Sequence, residues 1–363
     1  MLRKNMDIKV IGAGLSGLSA AFTLAKSGFE VTVYELGRKP SSRIITGIQG
    51  FKNFGKRGKI LWKIRKDLKL PISSKYFLPL KRGTLLSPSF RECEIYSREP
   101  IFYLVKRGFL SEDTIDMQLY FLARDAGAKF IFNKRMEERE GNIVASGPRK
   151  GVLWASVMHF ENEEEGNEAL LYYNNNYAEG GYIWVFRYQN LMDIGILTSK
   201  RDKFLPQKLR KLISRLKPLK ERTGRAKLIL HTHGIGFYDI PSSARRDGRC
   251  YVGEAAGFLN ASKGEGMYYA LASGCLAAKS IITGEDYDKL WKKEFKEELV
   301  EGFKKRTVWE RMKNKDYEEM IGMLGSRISL EEYREKVRKW MKSKPAVLLY
   351  PFFLMKWKLL GKL

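Results

Sequence analysis

Ile8-Lys-Val-Ile11, Gly12-Ala13-Gly14-Leu15-Ser16-Gly17 and an Ala- and Leu-rich run over residues 18–27 open the chain, followed by Gly28, Glu30-Val-Thr-Val-Tyr34, Glu35 and Leu36. The first four residues read as a short buried strand. Residues 18–27 read as a helix closed by Gly28, and residues 30–34 as a second strand. Strand, Gly-x-Gly-x-x-Gly turn, helix, strand and terminal carboxylate, in that order, make a dinucleotide-binding unit. Gly12 permits the tight turn, Gly14 lets a pyrophosphate approach the backbone, and Gly17 lets helix and strand pack closely. The helix N-terminus offers free N–H groups to phosphate. Glu35 can accept hydrogen bonds from a ribose. Gly12, Ala13, Gly14, Leu15, Ser16, Gly17, Glu35 and Leu36 are thus the first candidate cofactor residues. This motif does not separate FAD from NAD.

The chain has 363 residues, which at roughly 150 residues per domain suggests two domains, or one with an appendage. A 44% apolar and 12% aromatic content argues against wholesale disorder. Lys and Arg number 67 against 41 Asp and Glu, a net charge of +26. Such an excess points to nucleic acid, an acidic protein or a charged membrane face, or to a basic surface that only confers solubility. Cys93, Cys250 and Cys275 are widely spaced. They form no disulfide framework and no zinc pattern, so a reducing cytoplasm is expected. Residues 1–7 lack an apolar signal core. The longest apolar run, residues 346–355, contains Pro351 and is about half of what a spanning helix needs.

Further along, residues 114–126, 205–219 and 266–282 read as helices, and residues 129–132, 142–146, 228–231 and 250–252 as strands. Residues 152–160, 169–173, 182–188 and 191–197 read as four consecutive strands of an antiparallel sheet. Residues 52–75 hold nine Lys or Arg and one acid, interleaved with Trp62, Ile64 and Leu68, as in a solvated helix or a lipid-facing lip. The chain from residue 287 onward reads as mostly helical, charged and aromatic.

A second glycine-rich segment is Val252-Gly253-Glu254-Ala255-Ala256-Gly257-Phe-Leu-Asn-Ala261-Ser-Lys-Gly264-Glu-Gly266-Met267, followed by Ala270 and Ser273-Gly274. It resembles a late motif of FAD oxidoreductases, a group shared with aromatic hydroxylases. The resemblance implies that Glu254, where Asp is usual, contacts the ribityl chain. It also implies that the glycines and the following helix approach phosphate and isoalloxazine. Ala261 stands where Pro is usual. Gly253, Glu254, Ala256, Gly257, Gly264, Gly266 and Met267 join the candidate FAD residues.

A third segment, Gly181-Tyr182-Ile-Trp184-Val-Phe186-Arg187 continuing to Asp193-Ile-Gly-Ile196, resembles the Tyr-x-Trp-x-Phe-Pro signature of geranylgeranyl reductases. Tyr182, Trp184 and Phe186 alternate and so share one strand face. That face can pack an isoprenoid chain beside a flavin, or serve as an ordinary aromatic core. Arg187 replaces the Pro. The family resemblance covers roughly residues 7–284. A Cys beside Gly-Gly in relatives is absent from Pro40-Ser-Ser-Arg43-Ile-Ile-Thr-Gly47, so thiol control of the flavin in that form is lost. Arg43 matches the basic residue of that stretch and joins the FAD set.

The resemblance implies an α/β fold. A Rossmann-type FAD-binding domain is expected from residues 1–75, 111–150 and 228–284. An inserted antiparallel β-sheet substrate domain is expected from residues 76–110 and 151–227. Residues 285–363 are expected to form a helical, basic C-terminal region. It further implies reduction of prenyl-chain double bonds by flavin hydride, with Tyr182, Trp184 and Phe186 lining the substrate. The cofactor carries the difficult chemistry and the protein positions and shields it. Tyr182, Tyr238 and His233 are the candidate proton donors, none singled out. His159, His231 and His233 have no convincing metal spacing, and no metal is expected.

Implied partners are a prenylated lipid and an electron donor, either ferredoxin or NAD(P)H. An anionic membrane surface is a further partner of the basic tail, residues 331–363. That tail has nine Lys or Arg, three Glu and Trp340, Tyr350, Phe352, Phe353 and Trp357, a composition suited either to an interfacial anchor or to packing on the body. A cytoplasmic enzyme, peripheral on the inner membrane face, would follow. Flavin halogenases, with a Trp-x-Trp-x-Ile-Pro motif from which Tyr182 and Arg187 depart, and carotenoid cyclases are the rivals on the same layout. A basic nucleic-acid binder is the non-enzymatic rival, though the chain shows no recognised nucleic-acid motif.

Overall fold

The computed structural model describes residues 7–54 and 58–344. Its mixed α/β fold is organised around three sheets. The first has six strands in the order Arg245–Arg246, Arg249–Tyr251, Ile143–Val144, Ile8–Ile11, Val31–Tyr34, Lys129–Ile131. All pair in parallel except the outermost Arg245–Arg246. Parallel strands are covered on both faces and so read as continuous apolar runs. Accordingly Ile8, Val10, Val31, Val33, Ile143 and Val144 are all buried.

Two helices cover this sheet at the glycine-rich end, Leu15–Lys26 and Met267–Thr283. Their small residues allow close approach. A Cβ on Gly274 would come within 2.2 Å of the Ser16 carbonyl oxygen and of Ser19 Oγ. The Ser19 hydroxyl also bonds the Leu271 carbonyl at 3.1 Å, so the early and late glycine motifs are fastened together.

The second sheet is built on one long hairpin, Leu153–Tyr172 and Tyr182–Thr198. The four strands expected over residues 152–197 are thus two. The acidic run Glu161-Asn-Glu-Glu-Glu-Gly166 looks like a break because its residues have low strand propensity. Pairing nevertheless continues across it through a bulge between Glu161 and Gly166, with Gln189 at φ +57° on the partner strand. Along the free edge of Leu153–Tyr172, Lys227–Gly236 (reaching past residue 231) pairs with its first half, while Arg82–Leu86 pairs with its end and is followed by Glu92–Tyr96 and Arg327–Ser329. Most neighbours are antiparallel, while Arg82–Leu86 and Arg327–Ser329 pair in parallel. The single helix expected over residues 205–219 is two, Leu205–Arg215 and Lys217–Thr223. Leu216 is extended, and Pro218 sits in the first turn of the second helix, where its missing N–H costs nothing.

Thr46–Lys52, Phe102–Gly108 and Phe77–Leu80 form a third, antiparallel sheet. It draws strands from both sides of the domain boundary expected at residue 75. Phe51, Phe77 and Val105 join the nucleotide-domain core, while Ile48, Leu80 and Leu104 pack with Ala169 and Tyr188 of the long hairpin. The third sheet is therefore the layer between the other two.

Among the described residues, the C-terminal region is mostly helical, and its one strand, Arg327–Ser329, pairs with Glu92–Tyr96. Its helix Leu330–Ser343 buries Trp340, whose indole N–H donates to Glu319 at 2.7 Å. Trp340 therefore packs on the body. The rest of the tail, with Tyr350, Phe352, Phe353 and Trp357, lies outside the described residues, as do residues 1–6. In the basic segment after residue 52, Ile64 and Leu68 are buried and Trp62 is 55% exposed. No helix among the described residues is long and apolar enough to cross a membrane.

Candidate cofactor and substrate site

The three opening glycines have three distinct surroundings. Gly12 has φ +101°, and a Cβ there would meet the Ala145 carbonyl oxygen at 2.3 Å. Gly17 lies so close to the strand that a Cβ would reach the Gly12 oxygen at 1.9 Å. A Cβ on Gly14 would meet nothing within 4 Å. Gly14 therefore faces open space at the N-terminus of Leu15–Lys26, a helix end with no side-chain cap. Uncapped N–H groups and the positive dipole end suit a pyrophosphate.

Glu35 accepts from the Ala13 N–H and the Gly37 N–H, each at 2.8 Å. A carboxylate offers about four acceptor positions, so capacity remains for ribose hydroxyls. Leu36 beside it is 67% exposed.

The late motif closes the same space. Gly253 is left-handed at φ +57°, and a Cβ there would come within 2.8 Å of Ser16 Oγ. Its N–H donates to Ser273 at 2.8 Å. Glu254 accepts from the Phe237 N–H at 3.0 Å. Burial pushes Glu254 up to about 7, with the Phe237 bond and the charges of Arg43 and Arg107 acting the other way. A cleft of about 250 Å³ opens here, lined by Glu254, Ala255, Ala256, Arg149, Lys150, Phe237, Asp239 and Arg246. Gly257 does not face it. Gly257 is left-handed and backs onto Asp239. Met267 is buried at the start of the covering helix, and Gly266 is that helix's cap residue.

Arg43 reaches across to the Pro148 carbonyl at 3.1 Å and lies against Gly147. The turn that carries it is held by a buried ion pair. Arg107 Nε donates to Asp116 Oδ2 at 2.7 Å and Arg107 Nη2 to Asp116 Oδ1 at 3.0 Å. Asp116 also accepts from Ser41 Oγ at 2.5 Å and from the Gly108 N–H at 3.0 Å. Burial alone would raise the Asp116 carboxyl, but the guanidinium and these hydrogen bonds outweigh it and hold it below the ordinary range. Ser41 itself is left-handed at φ +52°, a conformation this network sustains.

The aromatic row is continuous. Ring centroids are 5.9 Å apart for Tyr182 and Trp184, and 6.4 Å for Trp184 and Phe186. Arg187 stays within the paired strand, and the bend comes later, at Gln189 and the bulge. The Tyr182 hydroxyl donates to the Lys263 carbonyl at 2.7 Å, which ties the row to the late glycine loop. Gly264 in that loop lies against Leu153 and Leu197 of the long hairpin.

Lys263 was not singled out by the motif. Its ammonium lies over the rings of Trp309 at 4.1 Å, Tyr173 at 4.4 Å and Tyr182 at 5.1 Å, and it bonds the Tyr173 hydroxyl. Burial lowers Lys263 to about 7, with Glu265 opposing that and Arg306 adding to it. The only sequence signal was a Lys inside a run of small residues.

The three proton-donor candidates are dispersed. Tyr182 is committed to a backbone carbonyl and burial raises its hydroxyl strongly. Tyr238 points to Glu310 at 3.5 Å and is pushed up to about 12, first by burial and then by Glu310. His233 is exposed and stacks edge-on with His231 at 4.8 Å. Sequence reasoning missed a polar chain that runs from the hairpin to the neighbouring strand Lys227–Gly236. His159 Nδ1 bonds Asp193 Oδ1 at 2.7 Å, and His159 Nε2 bonds Thr232 Oγ1 at 2.8 Å.

Residues 10–67 match the NAD(P)-binding Rossmann-like domain family. The digeranylgeranylglycerophospholipid reductase of Methanocaldococcus jannaschii is 23% identical over an alignment of 397 positions, covering 95% of this chain and 97% of that protein. A digeranylgeranylglycerophospholipid reductase of Methanosphaera stadtmanae is 24% identical, over 80% of this chain and 81% of that protein. The chain shares its fold with the crystal structure of a geranylgeranyl bacteriochlorophyll reductase-like protein from Thermoplasma acidophilum. The TM-score is 0.74 and the identity 18%, over 94% of this chain and 97% of that one. A flavin-dependent brominase also shares the fold, with a TM-score of 0.63 and 16% identity over 97% and 99% of the two chains.

Proposed function

We infer that this protein is a FAD-dependent reductase that saturates double bonds of geranylgeranyl chains, with membrane ether-lipid precursors as the substrate class. The observation that carries the reading is the Tyr182–Lys263 hydrogen bond. It joins an aromatic row suited to a prenyl chain to the glycine loop suited to a flavin. The near-full-length similarity to a lipid reductase supports the same conclusion.

The residues present fit FAD. Gly14 leaves room for the pyrophosphate at an uncapped helix end. Arg149, Lys150 and Arg246 bring positive charge to the cleft. In this reading Glu35 accepts from the adenosine ribose and Glu254 contacts the ribityl hydroxyls. When bound, reduced flavin supplies the hydride for an alkene carbon. The chain's own part is to hold the prenyl chain along Tyr182, Trp184 and Phe186, to keep water out, and to deliver a proton. The faces of these rings also favour positive charge developing on the alkene. Ferredoxin or NAD(P)H is the electron donor in this reading, and the basic surface suits an acidic donor protein and an anionic lipid surface alike.

The test is direct. The purified protein, reduced chemically without oxygen, is incubated with a geranylgeranylated phospholipid, and the lipid is followed by mass spectrometry. Stepwise gain of hydrogen pairs is expected. A yellow, reducible protein that leaves the lipid unchanged would sink the substrate assignment and favour flavin halogenation.

A further inference from the structure

We propose that Asp193, His159 and Thr232 form a proton relay whose outer hydroxyl, on Thr232, protonates the second alkene carbon. This rests on the reductase reading above.

The three residues lie on separate strands and meet through side chains alone. Asp193 and His159 are directly opposite each other in the long hairpin, and both are 4% exposed. Asp193 Oδ1 bonds His159 Nδ1 at 2.7 Å, and Asp193 Oδ2 accepts the Ile48 N–H at 2.6 Å. The carboxylate is thus anchored in the third sheet, which fixes the ring. Asp193 as acceptor requires a proton on Nδ1. His159 Nε2 then has one partner, Thr232 Oγ1 at 2.8 Å. A hydroxyl both donates and accepts. A neutral imidazole accepts from Thr232 and an imidazolium donates to it, so both protonation states are satisfied without rearrangement. A chain that only braced the fold would need one state.

The outer end opens beside the aromatic row. Val157 lies opposite both Gly195 and Thr232 on its two neighbouring strands. Residues directly opposite share a face. The Trp184 ring lies on Gly195, so Trp184 and Thr232 flank Val157 on one face, Gly195 and Thr232 being about 10 Å apart at roughly 5 Å per strand. Thr232 is half-buried and so accessible from that face. Five residues on, Phe237 lines the cleft and donates its N–H to Glu254.

The chemistry balances. One C–H bond forms with the hydride from the reduced cofactor. The other forms as the Thr232 O–H bond breaks, and the Nε2–H of imidazolium His159 restores that hydroxyl. His159 is left neutral with Nδ1–H still donated to Asp193. Water recharges it through Thr232 after the product leaves, and the external electron donor restores the cofactor.

The experiment compares wild type with Thr232→Val, Thr232→Ser and His159→Gln. Histidine 15N spectra of the cofactor-free protein supply the first readout. Thr232→Val should shift the Nε2 resonance of His159 and leave its Nδ1–H signal in place. With a digeranylgeranylglycerol phospholipid, Thr232→Val and His159→Gln should lower kcat by about 100-fold with KM unchanged, and Thr232→Ser should retain most of it. An unmoved Nε2 resonance, or wild-type turnover in Thr232→Val, overturns the relay. A wild type that binds this lipid and never reduces it overturns the parent reading instead.

Discussion

The indole of Trp184 lies on the Cα of Gly195, eleven residues further along the same strand, and a Cβ at Gly195 would sit 2.1 Å from its ring. A straight strand would hold these residues about 36 Å apart. The bulge at Glu161–Gly166 and the left-handed Gln189 therefore fold the hairpin back on itself. Gly195→Ala should displace Trp184, costing roughly 1–3 kcal/mol through overpacking. Calorimetry should show the lower melting temperature. Titrations should show weaker prenyl-lipid binding with FAD affinity preserved.

Gly14 and Gly17 separate folding from cofactor binding. Gly14→Val puts its side chain into open space, so the apoprotein should melt near wild type while FAD affinity falls at least tenfold. Gly17→Ala drives a Cβ into the Gly12 carbonyl and should cost about 3 kcal/mol in stability. Paired melting and flavin-fluorescence titrations check both. Equal loss of stability in the two variants would refute the assignment of the open space.

Glu254 gives the apoprotein a pH signature. A folded pKa of about 7 against an ordinary 4.5 means the folded chain holds the proton longer. The contribution is complete below the unfolded pKa and is lost as pH rises through about 7. Stability should thus decline over that window by on the order of 1–3 kcal/mol. Glu254→Gln should flatten the decline, as measured by urea denaturation at a series of pH values.

Lys263 shifts the opposite way. Burial brings it from 10.5 to about 7, so between those values the unfolded chain carries the extra proton and stability climbs with pH. The cost of the buried charge is greatest below pH 7 and is relieved towards pH 10, while the faces of Trp309, Tyr173 and Tyr182 offset part of it. Lys263→Met should abolish that rise. Thermal melts from pH 6 to pH 10 would show it, and a rise unchanged in the variant would place the titration elsewhere.

The opening dinucleotide unit was legible because its chemistry is local. Gly12, Gly14, Gly17 and Glu35 fall within one βαβ unit, and their spacing alone anticipated the tight turn at Gly12 and the close packing at Gly17. The late motif was read through its resemblance to FAD oxidoreductases, and the close approach of Gly253 to Ser16 is visible only in the fold. The relay was not legible. His159 and Asp193 are 34 positions apart and His159 and Thr232 are 73 apart, joined only by cross-strand register, and register is invisible without the turn. Lys263 was hidden likewise, since its three aromatic partners come from two other parts of the chain. The long hairpin read as four strands because an exposed acidic run mimics a loop, although backbone pairing tolerates it. The third sheet was overlooked because Thr46–Lys52 finds its partner in Phe102–Gly108, with no hairpin between them.

The central strand of the nucleotide sheet, Ile8–Ile11, pairs on one side with Val31–Tyr34 and on the other with Ile143–Val144, which in turn pairs with Arg249–Tyr251. During synthesis, therefore, the first strand emerges with one edge bare and waits for more than a hundred residues to fill it. The floor of the cradle waits longer, until the helix Met267–Thr283 has left the ribosome. Contacts of such sequence separation form slowly, and an unpaired edge is a template for aggregation. Cofactor loading is accordingly a late event in the life of the nascent chain. A premature stop before residue 143 leaves that edge bare, and one before residue 267 also leaves the site without the helix that closes it.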